Sequence, residues 1–263
     1  MTDYLLVHGV GQGAWSWGPV WGYLTAPENH PPTLHKPNRA NRVHPLDLPG
    51  HGADAGGDTS AVRFEECVQA IMRAAERENL KDIVLVGHGF SASLVVQAAI
   101  EMEVPPKRVV LVAGIVPAPQ RPLLSACSSL TRMAFRIISM LSSLSRQDVG
   151  LPSYVINEYL CNGIDSMEVV QMMGFFGPIP IRLLKSRLPA ETTDLPCPVT
   201  YVVLTHDKMI APDAQTRIAE RFDGAETVEI ESGHQVRART SQGTGRFTSQ
   251  IRLAALSTFE YYN

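Results

Sequence analysis

Four cysteines occur in 263 residues, Cys67, Cys127, Cys161 and Cys197, with no C-x-x-C spacing and no histidine pairing. Disulfide stapling and a structural zinc are therefore not expected, and a reducing, cytoplasmic setting is the default. Excess charge of either sign is also lacking: 23 Lys and Arg face 26 Asp and Glu, a net charge of -3. Such a balance gives no electrostatic footprint for nucleic acid or for an anionic membrane, so neither is expected as a partner. The most apolar long stretch, 123–144, is broken by Arg132, Arg136 and several serines and does not read as membrane-spanning. The first residues run straight into a strand pattern, so no signal peptide is expected. Internal repeats and low-complexity tracts are missing too. What is present is an apolar fraction of 44%, enough for a core in one domain with an inserted subdomain.

The chain is organised around Ile83-Val84-Leu85-Val86-Gly87-His88-Gly89-Phe90-Ser91-Ala92-Ser93. A short apolar run, read as a buried strand, leads into a glycine-spaced pentapeptide and then a helical pattern over 93–100. That is the layout of a nucleophile elbow, G-x-S-x-G on a tight strand-to-helix turn. The third position, which projects over the strand end, is Gly89 here, and the fifth is Ser91. The turn is present and its reactive atom is missing.

Tyr4-Leu5-Leu6-Val7 reads as a strand running into His8-Gly9-Val10-Gly11-Gln12-Gly13-Ala14-Trp15-Ser16-Trp17. Small residues after a strand let the backbone fold close to a ligand. The plain alternative is a tight turn followed by two core tryptophans. A helix is expected over 19–24, an exposed loop over 29–39, a strand over 43–48 and an amphipathic helix over 64–78. A further strand is expected over 108–113, and strands alternating with helices imply a parallel sheet. From 117 to 198 the alternation stops and helices with loops follow. Ser125, Ser129, Arg132, Arg136, Ser139, Ser143 and Arg146 mark one polar stripe on a greasy helix. Shorter helices are expected over 153–160, 166–176 and 181–187. Met167, Met172, Met173, Phe175 and Phe176 give the second of these an adaptable apolar surface. The segment reads as a cap whose apolar side forms its own core and also roofs a pocket. Alternation then resumes, with a strand over 200–204, a helix over 212–221, a strand over 227–230, a Gln242–Gly245 turn and a closing helix over 249–260. The domain plan is 1–116 and 199–263 as core, with 117–198 as cap.

Chain order carries the chemistry. The elbow comes first, then Asp207 just past a strand, then His234 just past the next. Elbow, acid, histidine is the order of the α/β-hydrolase triad. In parallel sheets the carboxyl ends of the strands face the ligand crevice, so these positions and the Val10 loop should converge.

On these residues the chain resembles the α/β-hydrolase fold superfamily. More narrowly, it is similar to the plant-type methylesterase and hydroxynitrile lyase group and its bacterial relatives. The motifs are Leu6-Val7-His8-Gly9 with Gly13-Ala14-Trp15-Ser16-Trp17, Asp47-Leu48-Pro49-Gly50-His51-Gly52, Gly87-His88-Gly89-Phe90-Ser91, Asp207-Lys208-Met209-Ile210-Ala211-Pro212 with Gln215, and Ser232-Gly233-His234. The resemblance implies an α/β fold with a mostly parallel sheet of about six strands, helices on both faces and a helical cap. It implies a cofactor-free site for small hydrophobic carbonyl or ester substrates. It also implies His234 and Asp207 as catalytic base and acid, Val10 and Phe90 as oxyanion-hole N–H donors, and Gly9, His88, Trp15, Met172 and Phe175 around the pocket. An exposed face of the cap would suit a homodimer.

Gly89 lacks a hydroxyl, so no acyl-enzyme can form there. Ser91 lies two positions into the turn, where its Oγ should point away from the site and cap the following helix; Ser93 is a helix residue. Three readings stay open at this point. One is a lyase, cyclase or hydrolase that uses His234 as base without a covalent intermediate. Another is a pseudo-hydrolase that binds a small apolar ligand. The last is a serine esterase whose serine has become Gly89.

Overall fold

Six short segments, four of them apolar throughout or nearly so, become six parallel strands. A computed structural model describes residues 2–25, 41–55, 59–127, 129–145, 150–189 and 191–236. The loop expected over 29–39, the Gln242–Gly245 turn and the closing helix lie outside these residues. In chain order the strands are β1 (Asp3–Val7), β2 (Arg42–Leu46), β3 (Ile83–His88), β4 (Arg108–Val112), β5 (Val199–Leu204) and β6 (Glu226–Ile230). They are arranged β2-β1-β3-β4-β5-β6, every neighbouring pair parallel. β1, β3, β4 and β5 are buried along their whole length, which is why they read as unbroken Val and Leu runs rather than as alternations. The edge strand β6 instead alternates in exposure until Ile230.

Helices cover the sheet. α1 (Gly18–Thr25) follows the first loop, and α2 (Phe64–Arg77) buries Phe64, Cys67, Val68, Ile71, Ala74 and Ala75 at the expected spacing. The first turn of α2 is closed by Glu66, whose carboxylate accepts the Arg63 N–H at 3.0 Å. α3 (Ser91–Glu101) is buried from Ser91 through Ala99, so it lies under further layers rather than on the surface.

Between β4 and β5 the described residues form helices and loops, joined by isolated bridges at Pro122–Arg187 and Gly150–Pro178. On α4 (Ser129–Ser145) the expected polar stripe holds at Ser129 and Arg136, which are exposed, and fails at one position; Arg146 and the Ser143 side chain lie outside the described residues. Ser139, placed on that stripe, is buried, while Met133, Ile137 and Met140 are about half exposed. A surface helix buries one face only, and this one carries apolar residues around more than that face. α5 (Ser153–Val155) ends after one turn and passes into a π-helical turn at Ile156–Leu160. α6 (Ser166–Met173) begins at Asp165, which accepts the Met167 N–H, and stops short of Phe176 at Gly174. α7 (Ile181–Lys185) and α8 (Pro212–Ala219) complete the set. Among the described residues no helix is long and apolar enough to cross a membrane.

The central strands carry the core, so truncation there should cost most. Leu85→Ala, on β3 with no exposed surface, is expected to lower stability by ~2–5 kcal/mol in urea titration. Val104→Ala, at a site 78% exposed, should stay within ~0.5 kcal/mol. Equal effects would contradict the placement of the core.

Candidate active site

The bend after β3 is set by Gly89. Its φ is +57°, a left-handed conformation that favours glycine. The turn is pinned on both sides: the Gly89 N–H donates to the Val112 carbonyl at 3.0 Å, and the Gly89 carbonyl accepts the Ile115 N–H at 2.8 Å. The nearby hydroxyls are committed elsewhere. Ser91 Oγ lies against the His8 carbonyl and 3.0 Å from that of His88, and Ser93 Oγ donates to the Ile115 carbonyl at 2.6 Å. Ser91 therefore points away from the bend, as expected. It does not cap α3; it is already the first residue of that helix and ties it to the end of β1.

β5 and β6 deliver the next two groups. His234 Nδ1 lies 2.8 Å from Asp207 Oδ2, with both side chains buried. The acid is held by further donors. Oδ1 accepts the N–H groups of Met209 and Ile210 at 2.7 and 2.9 Å, and Oδ2 accepts Gln215 Nε2 at 3.1 Å. All of these suit an ionised acceptor, so His234 carries its proton on Nδ1 and turns the Nε2 lone pair toward the bend. A Cβ built on Gly89 would sit 3.5 Å from that Nε2, an ordinary contact. The elbow, the acid and the histidine thus meet at one place.

The loop after β1 is clamped to the loop after β2. Asp47 Oδ1 accepts the Ala14 N–H at 2.7 Å, and Gly52 approaches so closely that a Cβ there would fall 1.8 Å from the same oxygen. His8 joins the two loops as a neutral ring. Its Nδ1–H donates to the Gly9 carbonyl at 2.8 Å, and its Nε2 accepts the Leu48 N–H at 3.1 Å. Burial, then the adjacent His51, push its pKa down to about 3. Burial likewise lowers His51. It lowers His88 well below the ordinary histidine value, and the neighbouring His234 and His8 rings would further oppose a second positive charge there.

A small cavity of about 10 Å³ lies at the junction, lined by Gly9, Val10, Gly89, Phe90, His234 and Gln12 together with apolar side chains such as Leu151, Leu160 and Met209. That is room for about one water-sized group. The backbone N–H groups of Val10 and Phe90 donate to no acceptor among the described residues. Of the residues expected around the pocket, Gly9 lines this cavity and four do not. His88 sits behind His234, its ring 4.6 Å away and its Nε2–H donating to the His234 carbonyl at 3.0 Å. Trp15 and Phe175 line a separate outer cleft. Met172 belongs to a small cluster with Ile156, Leu160, Cys161 and Val169. Proximity to the site in sequence pattern did not fix which side of the loop each side chain takes.

Three residues join the site without having been singled out for it. Gln12 Nε2 donates to Gln235 Oε1 at 2.8 Å, linking the first loop to the histidine loop. Asn162, in the insert, donates to the His206 carbonyl at 2.7 Å and accepts the His234 N–H at 3.4 Å. Its own carbonyl leaves no room for a Cβ on Gly233, which would fall 2.2 Å away. A polar Gln among glycines was a visible signal; nothing near Asn162 in the sequence marks it. Among the described residues no group of three His, Cys, Asp or Glu side chains could hold a metal ion.

With this geometry in place, comparison with known proteins identifies the fold's kin. A model of the alpha/beta hydrolase family matches residues 4–242. The chain belongs to the alpha/beta hydrolase family. Methylesterase 9 of Arabidopsis thaliana is 25% identical over 248 residues, 88% of this chain and 90% of that protein. Among solved structures, an extracellular alpha/beta-hydrolase of a Paenibacillus species, described as sharing structural and functional homology with tobacco salicylic acid binding protein 2, superposes with a TM-score of 0.79. It is 18% identical, with 97% of this chain and 99% of that one covered. The Arabidopsis methylesterase MES16 gives a TM-score of 0.73 at 16% identity, covering 98% and 100%. At these identities the structural likenesses speak for the alpha/beta hydrolase fold alone.

The buried neutral histidines give this hydrolase-fold chain a defined acid sensitivity. His8, His51 and His88 take up protons near the ordinary value of 6.5 once unfolded, and resist doing so when folded. The unfolded state therefore binds more protons below that pH. Stability should be full above it and fall as pH drops toward 3, by up to ~1.4 kcal/mol per pH unit for each ring. Urea midpoints measured from about pH 7 down to about pH 5 should fall steadily; a flat profile would contradict the assignment.

Proposed function

We propose that this alpha/beta hydrolase is an esterase-type enzyme that acts on a small hydrophobic carbonyl or ester without a covalent nucleophile. The observation that carries the reading is that His234 Nε2 faces the Gly89 bend, 3.5 Å from where a Cβ on Gly89 would stand. A water or a substrate proton placed there meets a base already oriented by Asp207. In the hydrolytic case His234 Nε2 takes a proton from water as the water oxygen bonds to the ester carbonyl carbon. The charge that develops on the carbonyl oxygen is met by the Val10 and Phe90 N–H groups. Collapse of that intermediate expels the alkoxide, which takes the proton back from Nε2, leaving acid and alcohol. The same base and anion cradle suit proton abstraction next to a carbonyl, as in a lyase or cyclase. Relatives that include a methylesterase support an ester as substrate.

The cavity admits only a reacting group, so the remainder of a substrate must displace Leu151, Leu160 or Met209. Leu151 is half-buried and borders the site; Leu151→Ala should raise kcat/KM for bulkier esters relative to acetate esters, read in a chain-length series.

A second reading, a serine esterase in which glycine stands at the nucleophile position, draws on the room that the same bend leaves for a side chain. Two variants separate the two. His234→Ala should lower kcat/KM by ~10²–10⁴-fold under the first reading; unchanged turnover would overturn it. Gly89→Ser should acquire labelling by a fluorophosphonate under either reading. Only the second requires the native chain to be inert and the variant to become the esterase.

A further inference from the structure

The aromatic residues that stand off the catalytic cavity form a site of their own. Trp15 is flanked by Phe175, with ring centroids 5.7 Å apart, and by Phe176 at 5.2 Å with the rings edge to face. These three rings line a cleft of about 570 Å³ together with Asp47, Gly52 and Gly177. That is space for a small organic molecule, which the cavity at His234 does not offer. Phe175 is 61% exposed, a large aromatic surface left uncovered among the described residues. Among the described residues the cleft shares no lining residue with the cavity at His234, and Gly177 on its rim donates its N–H to the Gly11 carbonyl at 2.9 Å.

Among the described lining residues, the charge of the cleft has one sign. Asp47 is the one charged residue among the described residues that line it. Its carboxylate is held in place by the Ala14 and Ala53 N–H groups at 2.7 and 3.3 Å. It lies close to the indole: a Cβ on Gly13 would fall 2.9 Å from both Asp47 Oδ1 and Trp15 Cδ1. Aromatic faces attract cations through their quadrupole, most strongly at tryptophan, and a fixed carboxylate adds to that attraction.

We propose that the Trp15–Phe175–Phe176 cleft, with Asp47 on its wall, is a binding site for a small organic cation, a quaternary or protonated amine. The cation sits against the rings, and Asp47 neutralises it without a bidentate salt bridge. The site is distinct from the His234 centre, and the proposal does not rest on how that centre reacts.

Choline and its neutral isostere, dimethylbutanol, in which carbon replaces the nitrogen, have nearly the same shape. Both are titrated into the full chain by calorimetry and by ligand-detected NMR. Choline should saturate and bind ~5–30-fold more tightly than the isostere. Phe175→Ala, at an exposed position, should weaken choline several-fold with unchanged thermal unfolding, and Asp47→Asn should narrow the gap between the two ligands. Equal affinity for the two would show an apolar cleft and overturn the proposal. So would no saturation at tens of millimolar, or choline binding untouched by Phe175→Ala. If Asp47→Asn fails to fold, the isostere comparison and Phe175→Ala still decide.

Discussion

Strands that run parallel in one sheet all end on the same edge, and this constraint assembles the site. β1, β3, β5 and β6 are separated by long stretches of chain, yet their carboxyl ends deliver the Val10 loop, Gly89 and His234 to one small cavity, with Asp207 bonded to His234. The hydrogen bond of 2.8 Å between Asp207 and His234 depends on that register, since Leu204 pairs with Ile230 directly before the two loops. Burial of the central strands supplies the rigidity.

What surrounds the pair is a set of loops held by few but buried contacts. Asp207 is held by Gln215 and two backbone N–H groups. The His234 backbone is gripped by His88 through its carbonyl and by Asn162 through its N–H, while Leu160 accepts the N–H of Gln235. Two of those partners, Leu160 and Asn162, come from the insert between β4 and β5. The insert is thus bonded to the histidine loop, and its placement bears on the geometry of His234 as well as on access to it. Buried polar contacts of this kind are costly to break because the groups left behind are out of reach of water.

The sheet and the order of the site were legible in the sequence because each rests on a short-range signal. Runs such as Val84–Val86 mark buried strands, and Asp207 and His234 each fall just past one. The insert was less legible. Its apolar residues exceed what one helix face can bury, so periodicity alone put Ser139 outside and did not mark Met133, Ile137 and Met140 as exposed alongside Arg136. The pocket walls were legible only in part: Gly9 faces the cavity, but Trp15 and Phe175 turn to the outer cleft and His88 packs behind His234. Which way a loop side chain points is decided by tertiary neighbours, here the Asp47 clamp and the Gly11–Gly177 contact, and these join residues far apart in the chain. Asn162 left no trace because its role is defined by two backbone groups supplied from other loops.

The proposed chemistry needs His234 to act as a base beside a glycine where the fold commonly places a nucleophile. Its most direct test is the intact mass of the protein during steady-state turnover of an activated aryl ester, quenched in acid. Product should form while the protein keeps its unmodified mass, because in the proposed reaction water is the attacking group. An acyl adduct on any residue, Ser91 included, would contradict it, as would the absence of turnover across a series of small esters.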